Sequence, residues 1–157
     1  MTVATITLRP ATAADARLLF DWVNSPDALA QKERTRGPIA WPEHAGWLDR
    51  LLADRGSALF IVEQADRPIG QVRLERDGDA GVHRVDIYVV PSARRGGVAR
   101  TALRQALKHV VVDAAVARVK AGNTASRGLF ESVGFAEVGR EGDIVVYRLE
   151  PAKARRG

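Results

Sequence analysis

The chain has no cysteine. That excludes disulfides, thiolate nucleophiles and cysteine metal sites, and it fits a reducing cytoplasm, the compartment expected here. No apolar run approaches the roughly 20 residues that a membrane-spanning helix needs, so no membrane partner is expected. The opening residues, MTVATITLRP, carry neither the basic start nor the apolar stretch of a secretory leader. Aromatic residues make up only 6% of the sequence, which makes the three tryptophans, Trp22, Trp41 and Trp47, conspicuous. Internal repeats, linkers and low-complexity segments are absent as well.

What is there suits an ordinary globular protein: 157 residues, 46% hydrophobic and 27% charged. One domain is expected over 1–150, followed by a basic tail at 151–157 that holds Lys153, Arg155 and Arg156. The net charge of +5 comes partly from that tail and partly from Arg100, Arg104 and Lys108, a stripe at helical spacing. The stripe reads as a solvated helix face. A nucleic-acid partner is not expected, because no interleaving of basic and aromatic residues accompanies the charge.

Alternation over 3–9 predicts a first strand. Thr12 with Asp15 three residues on makes a capping box for a helix through Leu18, Leu19, Trp22 and Val23, ended by Asn24-Ser25-Pro26. Residues 27–40 read as a short helix or irregular loop. Pro42 then opens a helix over 43–54, with Trp47, Leu48, Leu51 and Leu52 inward and Gly56 closing it. Strands follow at 58–64 and 69–75, with a turn at Asp77-Gly78-Asp79. The next strand carries Val85, Ile87, Val89 and Val90, and the helix after it has Val98, Ala102, Leu103, Ala106, Leu107 and Val110 on one face. A strand at 117–121, a helix at 124–132 and a hairpin of 136–140 with 143–149 complete the chain. The order predicts an α/β (α+β) domain: a mixed, mostly antiparallel sheet of six to seven strands with helices on both faces.

The most informative stretch joins the strand ending at Val90 to the helix starting at Val98. Pro91 stops the strand, and Arg94, Arg95, Gly96 and Gly97 make a basic, glycine-bearing turn. A helix N-terminus offers unpaired N–H groups and positive potential, so such a turn is a seat for phosphate. It is neither a Walker loop nor a dinucleotide fingerprint, because neither Gly-Lys-Ser/Thr nor GxGxxG is present.

Arg94-x-x-Gly97-x-Ala99 after Val89-Val90-Pro91 resembles the acetyl-coenzyme A signature of the GNAT superfamily of N-acetyltransferases. The segment NTASRGLFESVGF, residues 123–135, looks like the same superfamily's downstream motif, and the two stand in the expected order. The resemblance implies a GNAT-like fold and acetyl-CoA (coenzyme A) as cofactor. It implies that the strand around Tyr88, Val89 and Val90 splays from the fifth strand and pairs its backbone with the pantetheine. The N–H groups of Arg95, Gly96, Gly97, Val98 and Ala99 would take the pyrophosphate, reinforced by the charges of Arg94 and Arg100. Asn123 would bind the pantetheine arm, with Ser126 and Phe130 also at the cofactor; Asn123 equally suits the N-cap of the helix that follows.

Relatives often carry Tyr where this chain has Phe130, as the general acid toward the departing sulfur. Phe130 then reads as a wall beside the cofactor, and the proton would come from Tyr88 or from water, unless Tyr88 serves only sheet packing. Asp86 and Glu75 are the candidate bases, against the alternative of solvated carboxylates paired with arginines; His83, acting through water, lies at the strand entry. No metal site is expected. Toward the acceptor, WVNSP (22–26), I-x-W-x-EH (39–44) and Trp47 resemble, more loosely, a branch that acetylates amino sugars on nucleotides. Leu29 and Lys32 depart from that branch, which shows Arg and Ser there. Trp22, Asn24, His44 and Trp47 are the substrate candidates, against core packing for the tryptophans and a surface helix position for His44.

The expected activity is acetyl transfer from acetyl-CoA to the primary amine of a small molecule, with a nucleotide-linked amino sugar as the partner the branch suggests. Acetylation of a protein N-terminal amine and a non-catalytic acetyl-CoA-binding module stand as alternatives. Either a monomer or a homodimer is compatible with the sequence.

Overall fold

A computed structural model describes residues 5–32, 37–78, 81–109 and 113–150. The expected start of the first strand, Asp79 of the turn, Val110 and the basic tail lie outside the described residues. Seven strands form one sheet in the order β1-β2-β3-β4-β5-β7-β6: β1 (Ile6–Pro10), β2 (Ala58–Gln64), β3 (Arg67–Asp77), β4 (Val82–Val89), β5 (Ala114–Lys120), β6 (Ala136–Glu141) and β7 (Ile144–Leu149). Every neighbouring pair is antiparallel except β4 and β5.

The helices are α1 (Ala16–Val23), α2 (Pro26–Ala30), α3 (Trp41–Ala53), α4 (Val98–His109) and α5 (Thr124–Val133). The capping box before α1 forms as read: the Ala14 amide donates to Thr12 Oγ1, and the Thr12 amide donates to Asp15 Oδ2 at 2.8 Å. Asn24-Ser25-Pro26 ends α1 and at once starts α2, because the Ser25 hydroxyl accepts from the Ala28 amide and Pro26 suits a first helical turn.

Strand alternation divides the apolar residues between two cores. Val62, Val72, Leu74, Val85 and Val89 pack with Val98, Ala102, Leu103, Ala106 and Leu107 of α4 and with Phe130 and Phe135. Leu59 and Ile61 point to the other face and meet Leu19 of α1 with Leu48 and Leu51 of α3. Each fully buried leucine contributes roughly 1.5–3 kcal/mol of transfer free energy.

Two expectations fail locally. Leu52 is exposed rather than inward, and its place on the inner face of α3 is taken by His44, which is buried. The fifth strand begins at Ala114, three residues before the expected start; Ala114 and Ala115 are fully packed, but alanine carries little strand signal.

Candidate active site

The parallel pair at the sheet's centre is short. β4 and β5 are registered only at Val82–Ala114, His83–Ala115 and Arg84–Val116, after which β5 pairs only with β7 and β4 only with β3. The two strands therefore separate from Arg84 onward. Tyr88 turns its carbonyl toward β3, so close that a Cβ on Gly70 would lie 2.2 Å from it; only glycine fits there. The Val90 amide donates to the Ile69 carbonyl at 2.8 Å. Because backbone polar groups alternate sides along a strand, Ile87 and Val89 present theirs to the open edge.

That edge leads into the basic turn. Gly97 has φ +76°, which glycine adopts freely, whereas Arg95 holds φ +71°, a conformation costly for a non-glycine residue and common at functional sites. Among the described residues, no backbone or side-chain acceptor takes the amide hydrogens of Arg95 to Arg100. Arg95, Gly96, Gly97 and Arg100 are exposed, while Val98 is buried and Ala99 half-buried, anchoring the helix start against the core. The arrangement can hold a diphosphate on backbone N–H groups.

Arg94 does not join it. Its Nε donates to the Val89 carbonyl at 2.7 Å, its Nη2 pairs with the Asp27 carboxylate, and its guanidinium lies 5.5 Å from the centre of the Tyr88 ring. Arg94, expected at the phosphate seat, is here engaged with α2 and the β4 edge instead. A carboxylate on α2 and a carbonyl on the open edge capture the side chain first. Burial raises the Asp27 pKa, but hydrogen bonds from Arg94 and Ser25 outweigh it and leave the group below its ordinary value.

Asp86 and Tyr88 project from β4 toward α1 and α3, the face opposite α4. Gln71 Nε2 donates to Asp86 Oδ2 at 2.8 Å, and Arg73 lies 3.9 Å from the same oxygen. Glu75, the other candidate base, pairs with Arg73 at 3.4 Å and stands across from Arg84, where β4 and β5 are still joined. Of the two carboxylates, Asp86 lies beyond the point of separation. His83 is buried at the far end of the strand and donates from Nε2 to the Gly56 carbonyl at 2.7 Å. A cavity of about 730 Å³ opens at that far end, lined by Leu51, Arg55, Ser57, Phe60, His83 and His109; it shares no residue with the part of β4 beyond Arg84. The Tyr88 hydroxyl is 3.3 Å from Ser25 Oγ and donates to Asp27 Oδ1 at 3.4 Å, while its ring leans on Trp22 with centroids 5.9 Å apart.

The remaining candidates fall into place unevenly. Trp22 sits beside Tyr88, and Trp47 lies over the Arg73 guanidinium at 5.2 Å. Asn24 spends both ends of its amide on Ile39, donating to its carbonyl at 3.0 Å and accepting from its amide at 2.8 Å. It is a clamp between α1 and the approach to α3, not an open substrate contact. His44 is neither a surface residue nor a free one: 2% exposed, it uses Nε2 on the Ala16 carbonyl at 3.2 Å and packs between Phe20 and Trp47.

Asn123 caps α5 by accepting from the Ser126 amide at 3.1 Å. Phe130 is 4% exposed, edge-on to Phe135 at 5.1 Å and stacked on Tyr147 at 6.4 Å, so it belongs to the core rather than to a cofactor wall. Tyr147 is sealed too, its hydroxyl donating to Glu131 at 2.7 Å and accepting from Arg127 at 3.1 Å.

The sequence did not single out Gln71, Arg73, Ser25 and Asp27 as site residues. A polar Gln71 and Arg73 alternating with Val72 and Leu74 signalled a polar sheet face. Ser25-Pro26-Asp27 is a compact helix-start signature that places Asp27 in a first turn.

A family model described as Acetyltransferase (GNAT) domain matches residues 5–136. Among solved structures, a spermidine N-acetyltransferase from Vibrio cholerae in complex with CoA and spermine is similar at TM-score 0.82 and 22% identity, covering 95% of this chain and 97% of that one. A domain from Methanocaldococcus jannaschii follows at TM-score 0.79 and 23% identity, with 93% and 98% covered. A ribosomal-protein-alanine N-acetyltransferase from Brucella melitensis has TM-score 0.76 and 23% identity, with 92% and 99% covered. At such identities the likeness is one of fold. No curated protein matches the sequence significantly. The chain belongs to the GNAT acetyltransferase family, and acetyl-CoA is its acetyl donor.

Proposed function

We propose that this GNAT acetyltransferase acetylates the primary amine of a small molecule at the edge of β4, with Asp86 as base and Tyr88 as acid. The observation that carries the reading is the parting of β4 from β5 after Arg84, which leaves an open strand edge running into an unpaired helix N-terminus, with Asp86 and Tyr88 beside it. The fold offers the donor two kinds of contact: the backbone groups of Ile87 and Val89 suit an extended chain bearing amides, and the amides of Arg95 to Ala99 suit a diphosphate. Acetyl-CoA supplies the thioester.

The residues of the chain divide the proton work. The Asp86 carboxylate takes a proton from the acceptor's ammonium, and Gln71 Nε2 fixes which oxygen is presented. As the C–N bond forms and the C–S bond breaks, Tyr88 Oη, positioned by Ser25 and Asp27, gives a proton to the departing sulfur and is replenished by the second proton that the nitrogen sheds. This assigns to Tyr88 the part that a tyrosine at position 130 plays in relatives.

The acceptor face favours a particular kind of amine. Five carboxylates around β4 and its neighbours already have cations: Asp15 and Glu63 hold Arg9, Asp27 holds Arg94, and Asp86 and Glu75 flank Arg73. A polyamine would find these charges occupied. Trp41 is exposed, with the Arg17 guanidinium 5.9 Å from its ring, an aromatic face and a positive charge together. That pair suits a planar, anionic appendage, and a nucleotide-linked amino sugar supplies one. The test is thiol release from acetyl-CoA with a nucleotide-linked amino sugar, spermidine and an alanine-terminated peptide in parallel. Turnover is expected with the amino sugar; preferential turnover of spermidine or peptide overturns the acceptor assignment, and no release with any amine overturns the roles of Asp86 and Tyr88.

A further inference from the structure

α2 spans the opening between the separated strands. At its N-terminal end Asp27 is held by Arg94 and Tyr88, both on the β4 side; at its C-terminal end the Ala30 carbonyl accepts from Lys120 Nζ at 3.0 Å, at the tip of β5. The same Arg94 covers the Val89 carbonyl, one of the acceptors on the open edge. An extended, amide-bearing ligand laid along β4 needs that carbonyl, and Arg94 Nε is its present donor.

We propose that Arg94 is a latch shared between α2 and acetyl-CoA. In its latched position it ties Asp27 to the edge of β4. When an amide of the donor's arm replaces Arg94 Nε on the Val89 carbonyl, the guanidinium leaves Asp27 and turns to the diphosphate at the neighbouring turn, and α2 loosens to admit the acceptor while Asp27 keeps the hydrogen bond from Tyr88. Asp27 is therefore a positioning residue that opposes donor binding: it competes with the diphosphate for one cation. This rests on the reading of the β4 edge as the donor's seat.

The competition has a sign that a merely structural ion pair lacks. The pair is partly exposed, its side chains 42% and 33% accessible, so its loss to water is screened and the effect on affinity is modest. Coenzyme A is titrated calorimetrically into the wild-type chain, Asp27→Asn and Asp21→Asn, the last removing an equal charge from the exposed face of α1. Asp27→Asn is expected to bind coenzyme A roughly threefold more tightly, in line with the worth of a screened pair, and Asp21→Asn to bind as wild type. In parallel, hydrogen exchange of the α2 amides should quicken when coenzyme A is added to wild type, and be fast from the start in Asp27→Asn. Unchanged or weaker affinity in Asp27→Asn, an equal gain in Asp21→Asn, or slower exchange of α2 on binding overturns the latch. Failure of the wild-type chain to bind coenzyme A is a different result, and sinks the reading of the edge itself.

Discussion

On the α4 side of the sheet, Val62, Val72, Leu74, Val85 and Val89 meet Val98, Leu103 and Leu107 with no polar side chain among them. On the opposite side, the intervening residues of β3 and β4 are Gln71, Arg73, Glu75, Asp86 and Tyr88. The same strands thus build a dry core and a wet, charged floor. On the dry face stability is a sum of burials, each replaceable at a cost set by volume. On the wet face each group is held by a named partner, so a substitution there removes a function more than it removes the fold. The two faces can be told apart by measuring both rate and stability for one change on each.

The largest expected effect lies on the wet face. Asp86→Asn keeps the shape and a partner for Gln71 but cannot take a proton, and kcat/KM should fall by about 10²–10⁴-fold, roughly 3–5 kcal/mol of transition-state stabilisation. Thermal midpoint should barely move, because the Asp86 side chain is 52% accessible. The converse change is Leu74→Ala, at a fully buried position. It should lower stability by about 2–5 kcal/mol in a denaturant titration while the folded fraction keeps its kcat. A destabilised Asp86→Asn or a catalytically crippled Leu74→Ala would erase the distinction between the faces.

Phe130→Tyr sharpens the comparison at a position where sequence and structure disagree. Read as a wall at the cofactor, Phe130 should accept the hydroxyl with turnover raised or unchanged. Its ring lies between Phe135 and Tyr147, however, in the core. A hydroxyl there loses water without gaining an assured partner, so the cost should be about 1–3 kcal/mol in unfolding free energy, with turnover unchanged. A rise in turnover would return the site's acid to this position.

These cases show what a sequence can disclose. The dry face was legible almost residue by residue, since Val98, Ala102, Leu103, Ala106 and Leu107 announce themselves by period and all are buried. The turn was legible as well, because its glycines and arginines are chemistry without long-range context. The wet face was legible only in part: Asp86 and Tyr88 could be placed on a common side by alternation. What Arg94 grips was not, because Asp27 is 67 residues away in sequence and only the fold brings them together. His44 was misplaced for the related reason that its burial depends on α1 crossing over α3, with the Ala16 carbonyl there to receive its proton.

The smallest expected effect is a pH dependence that belongs to this packing between α1 and α3. Burial lowers the His44 pKa, and the hydrogen bond to the Ala16 carbonyl opposes it without reversing it. The folded chain therefore binds a proton at His44 less readily than the unfolded chain, whose histidine has its ordinary value. Stability is full above that value and declines as pH falls from about 7 to 5. Asp15 adds a second window lower down. The hydrogen bond from Arg9 is the largest influence on it and lowers its pKa, burial raises it, and the Thr12 amide lowers it again, leaving it below the carboxylate norm. Its contribution is present above the unfolded value near 3.9 and disappears as pH drops further. Thermal midpoints collected across pH 3–8 should therefore decline in two steps. His44→Gln, which keeps a donor for the Ala16 carbonyl but does not titrate, should abolish the upper step alone. If it leaves that step intact, some other group titrates there and His44 is not the buried base that the contact between α1 and α3 makes it.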